Sequence, residues 1–162
     1  MPPTTFQVST RGLTNGAGTL EVEGFRTPIP FSAPVEFGGL AGLWTPEHLL
    51  LGAVTSCFTM TFHAIARISK LRFESFEVSI EGTVNKTEGG LQFTQIVLRP
   101  TLRIADGQDV DRARAVLEKT GRSCLVSRSL STPIHIEPRV EVVQAELEAA
   151  AALPRDGVRS GN

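Results

Sequence analysis

Three stretches of this 162-residue chain predict an α+β fold. They are a long apolar helix entered at Thr45, two strand-length alternating segments between Phe73 and Ile104, and an amphipathic helix before a last strand, between Val110 and Val143. The length suits one domain with a sizeable core and is short for two. Residues 1–143 are assigned to that domain and 144–162 to a C-terminal tail.

The helix is the element around which the rest is arranged. Thr45 is a good N-cap, because its hydroxyl can accept one of the first free backbone N–H groups, and Pro46 fits the next position, where no N–H is missed. Glu47 stands at the positive end of the helix dipole. From Leu49 to Ile68 nearly every residue is apolar or small, so the helix, ending near Ser69, is expected to be enclosed by other elements. One small antiparallel sheet shields one side only. The other side is most simply covered by a second copy of the chain in a two-fold dimer.

Ahead of this helix, Phe6–Thr10 and Thr19–Glu23 read as short strands joined by a loop over residues 11–18, whose Asn15-Gly16 pair signals a hairpin. Arg11 is placed in that loop. Residues 24–44 carry too many Pro and Gly for a helix and leave room for one strand near Phe31–Val35. Behind the helix, Phe73–Val84 and Leu91–Ile104 alternate with period two across a turn at residues 85–90, predicting a long antiparallel hairpin. Val110–Lys119 is an amphipathic helix with Gly121 as its expected C-cap. Ser123 can cap a short helix over Cys124–Leu130, putting Cys124 in the first turn, where backbone N–H groups favour a thiolate. Ile134–Val143 is a last strand, made an edge or bulged strand by Pro138. Gln144–Leu153 can extend as a helix, and the residues after it should fray.

Lys plus Arg number 16 and Asp plus Glu 17, a balance that gives no electrostatic reason to expect nucleic acid or an acidic membrane as partner. The N-terminus lacks the pattern of a secretory signal, and the apolar helix is interrupted by Thr, Ser and His, so a soluble cytoplasmic protein is expected. Cys57 and Cys124 are the only cysteines, too few for a disulfide scaffold of this size. A free cysteine is ordinarily a small buried hydrophobe, and context must overturn that reading.

The context is Pro46-Glu47-x-Leu49-Leu50-Leu51-x-Ala53-x-x-Ser56-Cys57-Phe58, with Gly121-Arg122-Ser123-Cys124-Leu125-Val126-Ser127-Arg128-Ser129-Leu130 following 67 residues after the first cysteine. Most of the chain resembles the OsmC/Ohr family, the osmotically inducible and organic hydroperoxide resistance proteins. The resemblance implies antiparallel sheets wrapped around central helices in an intertwined homodimer, with sites at the interface. It implies a peroxidatic Cys57, a resolving Cys124 and an active-site Glu47. It also implies an arginine, for which Arg11 is the first choice and Arg26 the reserve. No cofactor is implied. The reaction would be reduction of organic hydroperoxides, and less well of hydrogen peroxide, with electrons from an external dithiol such as a lipoyl protein.

The chemistry asks for these residue types. A thiolate attacks the distal peroxide oxygen, a nearby cation steadies it, and arginine stays charged and offers a planar fork of donors. The sulfenic acid so formed condenses with a second thiol before overoxidation. Phe58, Phe62, Leu50 and Trp44 are candidates for an apolar collar around an alkyl hydroperoxide, though each also fits an ordinary core role.

Glu47 and Cys57 are ten residues apart, and at ~1.5 Å per residue a continuous helix separates them by roughly 15 Å. Glu47 is therefore expected to serve the Cys57 of a second copy. His63 lies on a different helix face from Cys57 and reads as a core or interface residue, His48 as a helix-start residue and His135 as a strand residue. No metal-ligand spacing occurs. A Cys57–His63 hydrolase lacks a third orienting group, and no Gly-rich dinucleotide turn is present. The rival to the peroxidase reading is a dimeric binding or structural protein that keeps this fold with vestigial cysteines.

Overall fold

A computed structural model describes residues 2–13, 16–105 and 109–143. The expected helix at Gln144–Leu153, the tail beyond it, and Asn15 of the first hairpin lie outside the described residues. The chain clusters into two compact units, Met1–Ala53 and Val54–Asn162.

The first unit holds a three-stranded antiparallel sheet, β1 (Ser9–Gly12), β2 (Ala17–Glu21) and β3 (Ile29–Ser32), in the order β1-β2-β3. The hairpin is as expected, but its strands run closer to the turn. Gly12 pairs with Gly18 and Arg11 with Thr19, so Arg11 is a strand residue rather than a loop residue. The glycines prolong the ladder because pairing asks only for extended backbone, and the turn is left to Gly16 at φ 80°. β3 ends at Ser32, short of the expected Val35, where a 3₁₀ turn over Val35–Phe37 takes over. Ser32 is buried and well used: its hydroxyl donates to the Gly16 carbonyl at 3.2 Å and accepts the Leu40 N–H at 2.9 Å.

Helix α1 runs unbroken over Pro46–Ile68. Thr45 caps it as predicted, its hydroxyl oxygen accepting the His48 N–H at 3.3 Å and lying 3.0 Å from His48 Nδ1. At its far end the Leu71 N–H bonds the Ala66 carbonyl at 2.9 Å and the Lys70 N–H the Arg67 carbonyl at 3.2 Å, with Lys70 at φ 52°. This is a Schellman stop with a lysine in the left-handed position usually given to glycine. Lys70→Gly is expected to raise stability by about 1 kcal/mol, read as a shift of the urea midpoint at constant slope.

The expected enclosure of α1 holds for one face only. Val54, Phe58, Phe62, Ile65 and Ala66 are buried, whereas Met60 and Ile68 are 63% and 74% exposed. The reason is geometric: a sheet covers a helix from one direction, and the remaining apolar surface stays open in a single chain. The polar interruptions also fail to shorten the helix, which at 23 residues is long and apolar enough to cross a membrane by length and composition.

In the second unit β4 (Ser75–Thr87) and β5 (Gly90–Ala105) form the predicted long antiparallel hairpin. The turn is tighter than residues 85–90, since the ladder continues to Thr87 opposite Gly90 and leaves only Glu88 and Gly89 between. A bulge at Thr83/Val84 drops Thr94 from the residue pairing, and its hydroxyl instead donates to the Thr83 carbonyl at 3.3 Å and accepts from the Asn85 amide at 2.8 Å. From there Ile96, Leu98, Leu102 and Ile104 face the core, all at 0% exposure. Arg99 and Arg103 face outward, where Arg99 pairs with Glu81 and Glu137, and Arg103 with Glu77 and Glu141.

The predicted last strand is two strands, β6 (Ile134–Ile136) and β7 (Arg139–Val143), both parallel to β5. The Ile96 N–H bonds the Pro133 carbonyl and the Leu98 carbonyl accepts the Glu137 N–H, so residues of this parity on β5 turn their polar groups to the β6/β7 side. Pro100 shares that parity and stands level with the break at Glu137-Pro138, between the Leu98–Ile136 and Thr101–Arg139 pairs. A proline in a central strand is ordinarily disruptive; here its missing donor meets a missing neighbour.

Helix α2 (Val110–Ser123) is capped by Asp109, whose side chain accepts the Arg112 N–H. Gly121 does not end it. A Cβ at that position would lie 2.5 Å from Ile136 Cδ1, the end of a flexible side chain, which would have to turn aside for a larger residue. Nor is Ser123 the next cap: α2 runs through it, and Cys124 both ends α2 and begins α3 (Leu125–Arg128). The core beneath is aromatic, with Phe62 stacked on Phe76 at 3.7 Å between centroids and edge-on to Phe73 at 5.1 Å.

A candidate thiol-pair site

Cys57 sits in the middle of α1 on the flank of its buried face, and α1 delivers it to the junction where Cys124 ends α2. Cys124 is fully buried among Val54, Phe58 and Leu98, with Cys57, Val126, Leu130 and Ile134 packed against the same cluster. Both are free thiols. The Val126 N–H of α3 donates to Cys57 Sγ at 3.5 Å.

The two sulfurs are chemically unequal. Burial pushes the Cys57 thiol up, but hydrogen bonds from the Val126 N–H, the Cys124 thiol, the Leu125 N–H and the Thr61 hydroxyl outweigh it and hold the group below its ordinary value. Burial pushes Cys124 up; Ser127 offsets part of this, and negative charge on Cys57 raises it further. One charge on the pair therefore rests on Cys57, with Cys124 as protonated donor. An acid with a lowered pKa ionises at lower pH. Iodoacetamide labelling followed by peptide mass spectrometry is accordingly expected to rise with pH first at Cys57 and only later at Cys124.

The remaining predicted site residues are not all gathered here. Glu47 lies on the same unbroken α1, about 15 Å along the axis from Cys57. Its Oε2 is buried with no hydrogen-bond partner. Arg11 lies 3.7 Å from Glu21, with its side chain 75% exposed, and Arg26 is exposed. Among the described residues, no guanidinium is among the groups that shift the Cys57 thiol. Phe58 and Phe62 are fully buried in the core, Leu50 is half-buried, and Trp44 is exposed with its ring 6.4 Å from that of His48. His63 is exposed and its ring packs against Phe62 and Phe73. No group of three or more His, Cys, Asp or Glu among the described residues is placed to hold a metal.

Residues not singled out in the sequence complete the pair's surroundings: Thr61, the Leu125 and Val126 amides, and Ser127. For Thr61 a signal existed, since it follows Cys57 by four residues, one helical turn. The amides carried none, because any residue has an N–H.

An α+β unit that brings a thiol of a central helix against a second thiol at a helix junction defines a paired-thiol protein. Residues 39–139 match the OsmC-like protein family, and the chain belongs to it. It is 31% identical over 134 residues to YmaD of Bacillus subtilis strain 168, an uncharacterised protein, a match that covers 81% of this chain and 88% of YmaD. Among solved structures, an OsmC-like protein of unknown function from Vibrio cholerae superposes with a TM-score of 0.75 at 19% identity, covering 84% of this chain and 99% of that one. An organic hydroperoxide resistance protein OsmC from Legionella pneumophila gives a TM-score of 0.70 at 22% identity, covering 88% and 100%.

Proposed function

We propose that the protein is a cytoplasmic, thiol-dependent peroxidase that reduces organic hydroperoxides, and hydrogen peroxide more slowly. The observation that carries this reading is the apposition of Cys57 and Cys124 with their acidities pushed in opposite directions. The Cys57 thiolate attacks the distal oxygen of ROOH; an S–O bond forms, the O–O bond breaks, and the alkoxide leaves and takes a proton to become ROH. Cys124 sulfur then displaces hydroxide from the Cys57 sulfenic acid, giving a disulfide and water. An external dithiol, a lipoyl group among the candidates, restores both thiols by exchange.

A symmetric homodimer completes this reading. The open apolar face of α1 favours it, as does the unpartnered buried oxygen of Glu47. Glu47 of one copy would then orient an arginine, Arg11 or Arg26, toward Cys57 of the other, with Trp44 and Leu50 available to line the entrance.

The test is stopped-flow mixing of the reduced protein with cumene hydroperoxide and with hydrogen peroxide. Reaction much faster than that of a free thiol, with the organic peroxide ahead, supports the proposal; a rate no greater than free thiol refutes it. In that event the second reading, a dimeric binding or structural protein, gains. The pairing of Arg11 with Glu21 already favours it.

A further inference from the structure

A hollow of about 470 Å³ opens on the outward side of α1, lined by Met60, His63, Ala64, Arg67, Leu71 and Phe73. All six belong to the second unit. The volume lies within the roughly 300–1,000 Å³ of small-molecule sites. Its lining is divided in character. Met60, Ala64, Leu71 and Phe73 are apolar, with Leu71 buried and Phe73 half-buried. His63 and Arg67, one helical turn apart on the same face, supply the polar side chains. Arg99, Arg103 and Arg139 of the sheet each meet a carboxylate at 2.9 Å. The Arg67 side chain, by contrast, has no ion pair or hydrogen bond among the described residues. Its place in the last turn suits the helix dipole, which accounts for a cation there but not for the apolar hollow beside it. His63 is fixed by its aromatic neighbours, its ring centroid 5.7 Å from that of Phe62 and 5.6 Å from that of Phe73. An imidazole keeps at least one ring N–H whether neutral or charged.

We propose that this hollow binds an apolar monocarboxylate, with the carboxylate on the Arg67 guanidinium and the His63 ring N–H and the hydrocarbon body on Met60, Ala64, Leu71 and Phe73. A carboxylate matches the planar fork of an arginine. The lining holds no acidic side chain to receive a cationic head group. Neither cysteine lines the hollow, so it is a site separate from the thiol pair. It is also compatible with the homodimer proposed above. If Glu47 of each copy meets Cys57 of the other, the two antiparallel helices cross midway between those positions, and the stretch from Met60 onward runs past the start of the other copy's α1.

The test is isothermal titration calorimetry of the reduced full-length chain with octanoate and with octan-1-ol, which share a hydrocarbon body and differ in the charged head. One octanoate per chain is expected, with octan-1-ol about tenfold weaker, as loss of one charge-assisted contact implies. Arg67→Gln should bring octanoate down to the level of octan-1-ol. Ala64→Phe, at an exposed position, fills the hollow and should abolish binding of both. Both variants should keep the parent's circular dichroism, since neither side chain belongs to the core. Absence of saturable octanoate binding in the parent overturns the proposal, and a hollow closed by a second copy would give that result. Equal affinity for the two ligands, an unchanged Arg67→Gln, or binding that survives Ala64→Phe overturns it as well. Neither ligand is a peroxide, so the outcome is independent of whether the protein is a peroxidase.

Discussion

Cys57→Ser is expected to lower the rate of hydroperoxide consumption by on the order of a thousandfold or more, because a hydroxyl at neutral pH supplies no anion to attack the O–O bond. Such a loss corresponds to about 4 kcal/mol of activation free energy. The fold should survive, since serine is close to cysteine in size and Cys57 is only half-buried. Circular dichroism unchanged beside absent turnover is the expected pattern. Cys124→Ser should behave differently: the first reaction with peroxide proceeds, and Cys57 then accumulates as sulfenic and sulfinic acid because no second thiol closes the disulfide. Mass spectrometry of the oxidised protein distinguishes the two. A parent that shows persistent sulfinic acid in place of a Cys57–Cys124 disulfide would deny Cys124 its resolving role.

Phe62→Ala should be the most damaging single truncation for stability. The ring is at 0% exposure, stacked 3.7 Å from Phe76 and edge-on to Phe73, so its removal opens a cavity among rigid aromatic neighbours that cannot collapse into it. A loss of about 3–5 kcal/mol is expected, measured by urea unfolding. Phe62→Leu, which refills part of the space, should recover a substantial share. A loss below about 1 kcal/mol in Phe62→Ala would mean that the ring is not the core element its contacts describe.

Much of this architecture was legible in residue patterns. Thr45, Pro46 and the apolar run gave α1 almost to the residue, because capping and periodicity are local properties. Alternation from Phe73 onward gave the long hairpin for the same reason. What escaped depended on distant neighbours. Gly121 reads as a helix stop, yet α2 runs through it to Ser123 and is ended by Cys124, where the chain turns into α3. Arg11 reads as a loop residue because Gly12 and the glycines beyond it look like a turn, whereas cross-strand pairing of Gly12 with Gly18 draws them into the ladder. The two cysteines were identifiable from their sequence surroundings; their unequal acidity was not, since it arises from amides brought in from α3.

The coincidence of Pro100 with the Glu137-Pro138 break bears on how this sheet tolerates change. Pro100 stands on the central strand 38 positions before Pro138, and its missing donor is tolerated because the neighbouring strand is interrupted at that level. Replacing Pro138 alone with a strand former would invite β6 and β7 to fuse and offer an acceptor to a residue that has no hydrogen to give. Replacing Pro100 alone would create a donor with no strand to receive it. The proline on the central strand and the break beside it thus share one gap in the ladder.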